Sequence, residues 1–253
     1  MYEPIEHRRY WQQVEIDAIE YPLLCETIPQ GVRDQLHPWL QQFIGLDRDA
    51  ASALLEERWL GLKEAMLVSL RECLLELIPF SICVRKKEAC LVLYIPEAQP
   101  LNCTYATSYY VPPPFDDELI EHNLVRCRFA DVRGFATFTR NFGGLRETPP
   151  NTAGYFRWPN EWRTLMQITE HPPLREKLGH WVDERGIYHT SVGDVVLMKP
   201  SGEVAAWNHE MTTIDPVADD FLGFVEHFVQ FLRLRYPCEI WEPNEEEINN
   251  ERE

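Results

Sequence analysis

Basic residues are in short supply. The chain has 24 Lys and Arg against 41 Asp and Glu, a formal net charge of −17 over 253 residues. Without an excess of cations it cannot displace counterions from a phosphate backbone, so no nucleic-acid partner is expected. The seven cysteines (Cys25, Cys73, Cys83, Cys90, Cys103, Cys127 and Cys238) are odd in number and show no C-x-x-C spacing. That excludes a disulfide framework and a zinc ribbon, and leaves buried thiols of a reducing compartment. The first 22 residues lack the apolar core of a signal peptide, and no later window approaches a membrane span. A cytoplasmic protein with no membrane partner is the expectation.

Signatures of chemistry are also missing. The chain has no G-x-x-x-x-G-K-[ST], no G-x-G-x-x-G, no G-x-S-x-G and no H-E-x-x-H. His209-Glu210 supplies half of the last pattern, but no second histidine follows at ligand spacing. The eight histidines are scattered, and spacing assembles no dyad from Cys127 or Cys103 with His189. Asp116-Asp117-Glu118 and Asp219-Asp220 read as carboxylates at helix N-termini, where the helix dipole stabilises them. The residues alone thus supply no cofactor, metal or catalytic signature.

What the sequence does contain is best defined between Gly193 and Tyr236. Val195–Met198 and Val204–Trp207 are apolar runs of strand length. Between them stands Lys199-Pro200-Ser201-Gly202, which suits a type I turn closing a hairpin. Asp215-Pro216 has the form of a helix cap with proline at the first helical position. Ala218, Phe221, Leu222, Val225, Phe228, Val229 and Leu232 then recur at helical spacing, widened by Phe224 and Phe231. Arg233 and Arg235 suit the helix C-terminus, and Pro237 prevents its extension. A hairpin apolar on both faces requires a cover, and this helix offers one.

Upstream, a short helix broken at His37-Pro38 is expected over residues 32–44. One long amphipathic helix is expected over residues 50–78, ended by Pro79. Strands at 80–84 and 89–95 flank the charged tip Arg85-Lys86-Lys87-Glu88, and residues 96–100 have linker character. Beyond them the pattern predicts a strand at 103–111 and helices at 115–122 and 132–142, the second ended by Gly143-Gly144 in positive-φ conformations. A strand-like piece at 153–156 follows. Asn160 caps a helix to 168, a further helix covers 174–184, and a strand covers 187–190. Tyr155, Phe156, Trp158 and Trp162 flank Pro159-Asn160-Glu161, a density that suits an interface or a core. The final acidic residues read as a solvated tail.

The strand and turn after Gly193-Asp194, the run Trp207-Asn208-His209-Glu210, and Val217-Ala218-Asp219-Asp220-Phe221 opening an aromatic helix resemble the C-terminal half of the SMI1/KNR4 domain, the SUKH superfamily. Phe138–Arg146 (FTRNFGGLR) is similar to that family's first helix and glycine turn. The resemblance covers residues 112–236, a little over half the chain. It implies an α+β fold, an antiparallel sheet with helices packed on it, and a non-enzymatic protein-binding role. Many bacterial members are immunity proteins against polymorphic, often nuclease toxins; fungal members are interaction hubs.

On this reading residues 1–100 are an N-terminal helical and hairpin extension or small α+β region, 101–240 the SMI1/KNR4-like domain, and 241–253 the acidic tail. The candidate partner-binding residues are Tyr155, Trp158, Glu161, Trp207, His209 and Glu210. The partner is a protein, a cognate toxin or an endogenous regulator, and an acidic surface suits a basic one. Two alternatives stand beside it. One is a regulatory scaffold; the other is a hydrolase or transferase with a site built from distant residues such as Cys127, His189 and Asp194.

Overall fold

The computed structural model describes residues 18–24, 28–85, 88–94, 108–148, 154–169, 174–190 and 193–234. The fold is α+β, with one antiparallel sheet in which ten strands follow one another in chain order. They are β1 (Ala18–Pro22), β2 (Ile78–Arg85), β3 (Glu88–Tyr94), β4 (Ser108–Val111), β5 (Arg146–Thr148), β6 (Tyr155–Phe156), β7 (Arg185–His189), β8 (Val195–Met198), β9 (Val204–Asn208) and β10 (Thr213–Ala218). The helices are α1 (Gln30–Arg33), α2 (Pro38–Gln41), α3 (Arg48–Arg58), α4 (Ala65–Leu75), α5 (Asp117–Cys127), α6 (Phe135–Phe142), α7 (Leu165–Thr169), α8 (Leu174–Leu178) and α9 (Phe221–Leu234).

Strand alternation sorts the side chains between two faces. On β8, Val196 and Met198 enter the main core, while Val195 and Leu197 enter a smaller cluster on the other face. On β3, Leu91 and Leu93 face the main core and Val92 the reverse. α9 lies over the main-core face, with Phe221, Phe224 and Val225 fully buried and Phe228 and Val229 nearly so. Rings interlock there: Phe138 and Phe156 lie 4.6 Å apart, Phe135 and Phe221 4.8 Å, and Phe156 and Phe228 5.0 Å between centroids. The second face of the β8–β9 hairpin is covered by Leu165, Leu178 and Val182 rather than by α9. The expected cover therefore comes as two layers.

The hairpin turn forms as its sequence predicts, with Gly202 donating to the Lys199 carbonyl at 2.9 Å and standing at φ +96. Other expectations need correcting. Asp215-Pro216 does not cap α9; both residues lie in β10, opposite Ala206 and Ala205. An edge strand tolerates proline, and pairing with β9 outweighs the local helix signal. Asp220 is the cap, its carboxylate accepting the Gly223 N–H at 2.7 Å. The single helix expected over residues 50–78 is two helices. α3 ends at Trp59, which is fully buried and donates through Nε1 to the Asn141 carbonyl at 3.2 Å. Gly61, at φ +89, then turns the chain.

Asn160 caps no helix: Pro159–Glu161 is a single 3-10 turn. α7 is instead started by Thr164, whose hydroxyl accepts the Gln167 N–H at 3.2 Å. The helix expected over 174–184 is α8 followed by a 3-10 turn, Gly179–Asp183. Of Gly143-Gly144 only Gly144 has positive φ, at +76.

The linker-like residues 96–100 and the tail 241–253 lie outside the described residues. On either side of the former, β3 pairs with β4, and α4 packs on α9. One apolar cluster runs from Leu40 and Leu55 to Phe228. Cys73, Cys83, Cys90 and Cys127 are free thiols, and burial pushes the Cys73 and Cys90 thiols up. Cys25, Cys103 and Cys238 lie outside the described residues. Among the described residues no helix is long and apolar enough to cross a membrane.

Candidate functional site

The register of β6 to β9 builds a row that the linear sequence hides. Tyr155 stands opposite His189, His189 opposite Val195, and Val195 opposite Trp207. Directly opposed residues share a sheet face, so the four form one line across four strands, on the face away from α9. Tyr155 stacks on His189 with centroids 5.5 Å apart and planes 15° from parallel. The Arg146 guanidinium, next in the row, lies 5.9 Å over the Tyr155 ring.

Asp194 immediately precedes Val195 of this row, just before β8, and is 5 % exposed. Its Oδ1 accepts the backbone N–H of His209 at 2.8 Å and meets the His209 Nδ1 at 2.7 Å. A carboxylate only accepts, so Nδ1 carries a proton and donates it. The His209 side chain is 37 % exposed. A buried carboxylate is thereby coupled to a solvent-accessible imidazole. The turn behind it is tied by the Thr190 N–H on the Asp194 carbonyl and the Asp194 N–H on the Thr190 hydroxyl, both at 3.0 Å. Gly193 sits at φ +100, and a Cβ there would come within 3.4 Å of the His209 ring.

His189 is different in kind. Burial holds its pKa down to about 4, with Arg157 adding to the lowering and Asp194 opposing it. It is a neutral ring at ordinary pH, packed between strands. Arg157 is buried too; its Nη1 donates to the Glu161 carbonyl at 3.1 Å, and its Nε has no partner. Burial lowers its pKa, and the Arg163 charge lowers it further, against the pull of Tyr155 and Glu161.

The six candidate residues fall into two groups. His209 and Glu210 are exposed in the turn after β9, beside Met211, which is 75 % exposed. Trp207 adjoins them but is buried, its Nε1 without a partner. Tyr155 belongs to the same row, three strands along. Trp158 and Glu161 flank the 3-10 turn instead. The half-buried Trp158 ring meets Phe115 at 5.0 Å, and the Glu161 carboxylate accepts the Trp158 N–H at 3.4 Å. Arg157 links this turn back to Tyr155.

Of the distant residues weighed for a hydrolase or transferase, His189 and Asp194 are neighbours here. Cys127 is not joined to them: it lies in the main core with Sγ 3.9 Å from the Trp162 carbonyl. Sequence reasoning missed the Asp194–His209 pair and the place of Arg157. The only available signal was the hairpin pattern, which brings residues 194 and 209 to the same end of adjacent strands.

Chemically, the pair orients an accessible imidazole, and no described hydroxyl or thiol is hydrogen-bonded to His209. Among the described residues no group of three or more His, Cys, Asp and Glu side chains is arranged to hold a metal ion. Comparison with protein-family models, with curated proteins and with solved structures finds no match.

Proposed function

We propose that this chain is a non-catalytic protein-binding module of the SMI1/KNR4 kind, neutralising a basic, nuclease-type toxin by direct contact. The observation that carries the reading is an acidic edge. From Pro200 to Leu232 there are six carboxylates and no Lys or Arg. Glu210, Asp215, Asp219, Asp220 and Glu226 are exposed, on the β9–β10 turn, the edge strand β10, the two residues that lead into α9 and the second turn of α9. Met211 gives the turn an apolar centre. Such an edge attracts a cationic partner at long range and offers a small desolvated contact at close range. Pro216 and the Asp215 charge on β10 oppose strand addition by another chain, which favours side-chain contact over sheet extension.

The test is titration of the purified chain against the product of the adjacent gene. Expected is a tight one-to-one complex that abolishes the partner's nuclease activity. No complex at micromolar concentrations counts against the reading.

One observation favours a second reading, a hydrolase or transferase: the Asp194–His209 pair has the arrangement of an oriented general base. A scaffold for an endogenous partner would use the same acidic edge. His209→Ala separates the two roles. A binding module has no turnover to lose and changes only in its affinity for the partner, whereas an enzyme loses turnover by about a hundredfold or more.

A further inference from the structure

Between the end of α5, the 3-10 turn, α7 and β7 lies an open pocket of about 550 Å³ lined by Arg126, Asn160, Trp162, Arg163, Gln167 and Arg185. Its volume is in the range of small-molecule sites. Three of its six lining residues are arginines, in a chain where acids outnumber bases 41 to 24. Backbone pairing holds the Arg163 and Arg185 segments side by side. Thr164 bridges Arg185, the Gly186 N–H donates to the Arg163 carbonyl at 3.0 Å, and the Leu165 N–H donates to the Glu184 carbonyl at 3.1 Å. Arg126 comes from the last turn of α5.

None of the three forms an ion pair among the described residues; Arg185 has one hydrogen bond, from Nη1 to the Gln167 amide oxygen at 3.3 Å. The acids that follow in the chain are engaged elsewhere. Glu161 accepts the Trp158 N–H, and Asp183 is held by Arg175 at 2.7 Å. Glu184 has its pKa raised by burial, and the cations acting on it are Arg128, His180 and Lys199 rather than the cavity arginines. Burial disfavours the Arg157 charge, and the nearby Arg163 charge adds a smaller part. An anion beside Arg163 offsets that smaller part.

We propose that this cavity is a binding site for a small phosphoryl-bearing anion, held by Arg126, Arg163 and Arg185. Guanidinium forks match phosphoryl oxygens in pairs, and three forks need more oxygens than one carboxylate has. The cavity is larger than a bare phosphate, so an organic phosphate ester or diphosphate fits, with the Asn160 and Gln167 amides available to its neutral polar part. This site is separate from the acidic edge and stands or falls independently of it.

The test is calorimetric titration of the full chain with pyrophosphate, ADP and citrate at low and high salt. Pyrophosphate and ADP are expected to bind, more weakly as salt rises, and citrate to bind at least tenfold less tightly than pyrophosphate. Arg163→Gln and Arg126→Gln change exposed side chains without ion partners, so both variants keep the fold, as a far-ultraviolet spectrum checks. Each should weaken pyrophosphate by about tenfold, one charge-assisted contact. No binding of pyrophosphate or ADP at millimolar concentration overturns the proposal. So does binding unchanged in the Arg126→Gln, Arg163→Gln double variant, or citrate binding as tightly as pyrophosphate.

Discussion

Asp194 serves two donors of His209, the backbone N–H and the imidazole, from a position that is almost wholly buried. Replacing it by alanine strands both and frees the turn before β8. Asp194→Ala is therefore expected to lower unfolding free energy by about 1–3 kcal/mol in urea titration. An unchanged midpoint would mean that the pair is not formed. His189 gives a prediction of opposite character, because its pKa is depressed from 6.5 to about 4, first by burial. Between those values the unfolded chain binds a proton that the folded chain refuses, so stability falls as pH drops across that window. The slope from this one group is at most about 1.4 kcal/mol per pH unit. His189→Asn should flatten the stability profile there relative to the parent chain; parallel profiles would contradict the buried neutral ring.

At the scale of elements, periodicity carried far. The inner side of α9 was legible as a stripe, and Phe221, Phe224, Val225, Phe228 and Val229 are all buried. Phe224→Ala is expected to cost about 3–5 kcal/mol in the same assay, since its ring is fully enclosed. A loss below about 1 kcal/mol would show that α9 does not pack as described. Helix boundaries were less legible, and each miss has a local cause. Asp215-Pro216 satisfies a helix cap and an edge strand equally well, and only pairing with Ala205 and Ala206 decides. The stretch of residues 50–78 keeps helical spacing through Gly61, whose φ of +89 breaks it. The site was least legible. Tyr155, His189 and Trp207 share a row through strand register, which no single segment encodes. The cavity arginines likewise come from α5, the segment before α7 and β7, and are neighbours only once β7 bridges Thr164.

At the scale of the molecule, two charged features among the described residues stand apart in the sequence. One edge, from the β9–β10 turn to the first two turns of α9, is acidic, with no Lys or Arg between Pro200 and Leu232; Arg233 follows in the last turn of α9. The three cavity arginines gather on another part of the surface. The sheet that carries both runs without a break in order from β1 to β10, so the N-terminal strands and the C-terminal hairpin share one frame. Recognition of a basic protein through the acidic edge is the central claim. The most direct measurement is the association rate of the adjacent-gene product with the parent chain and with a Glu210→Lys, Asp215→Lys variant, at low and high salt. The account predicts a parent rate that falls steeply with salt, and a variant rate lower by on the order of tenfold at low salt with a flattened salt dependence. Equal rates and equal salt dependence for the two chains would contradict it.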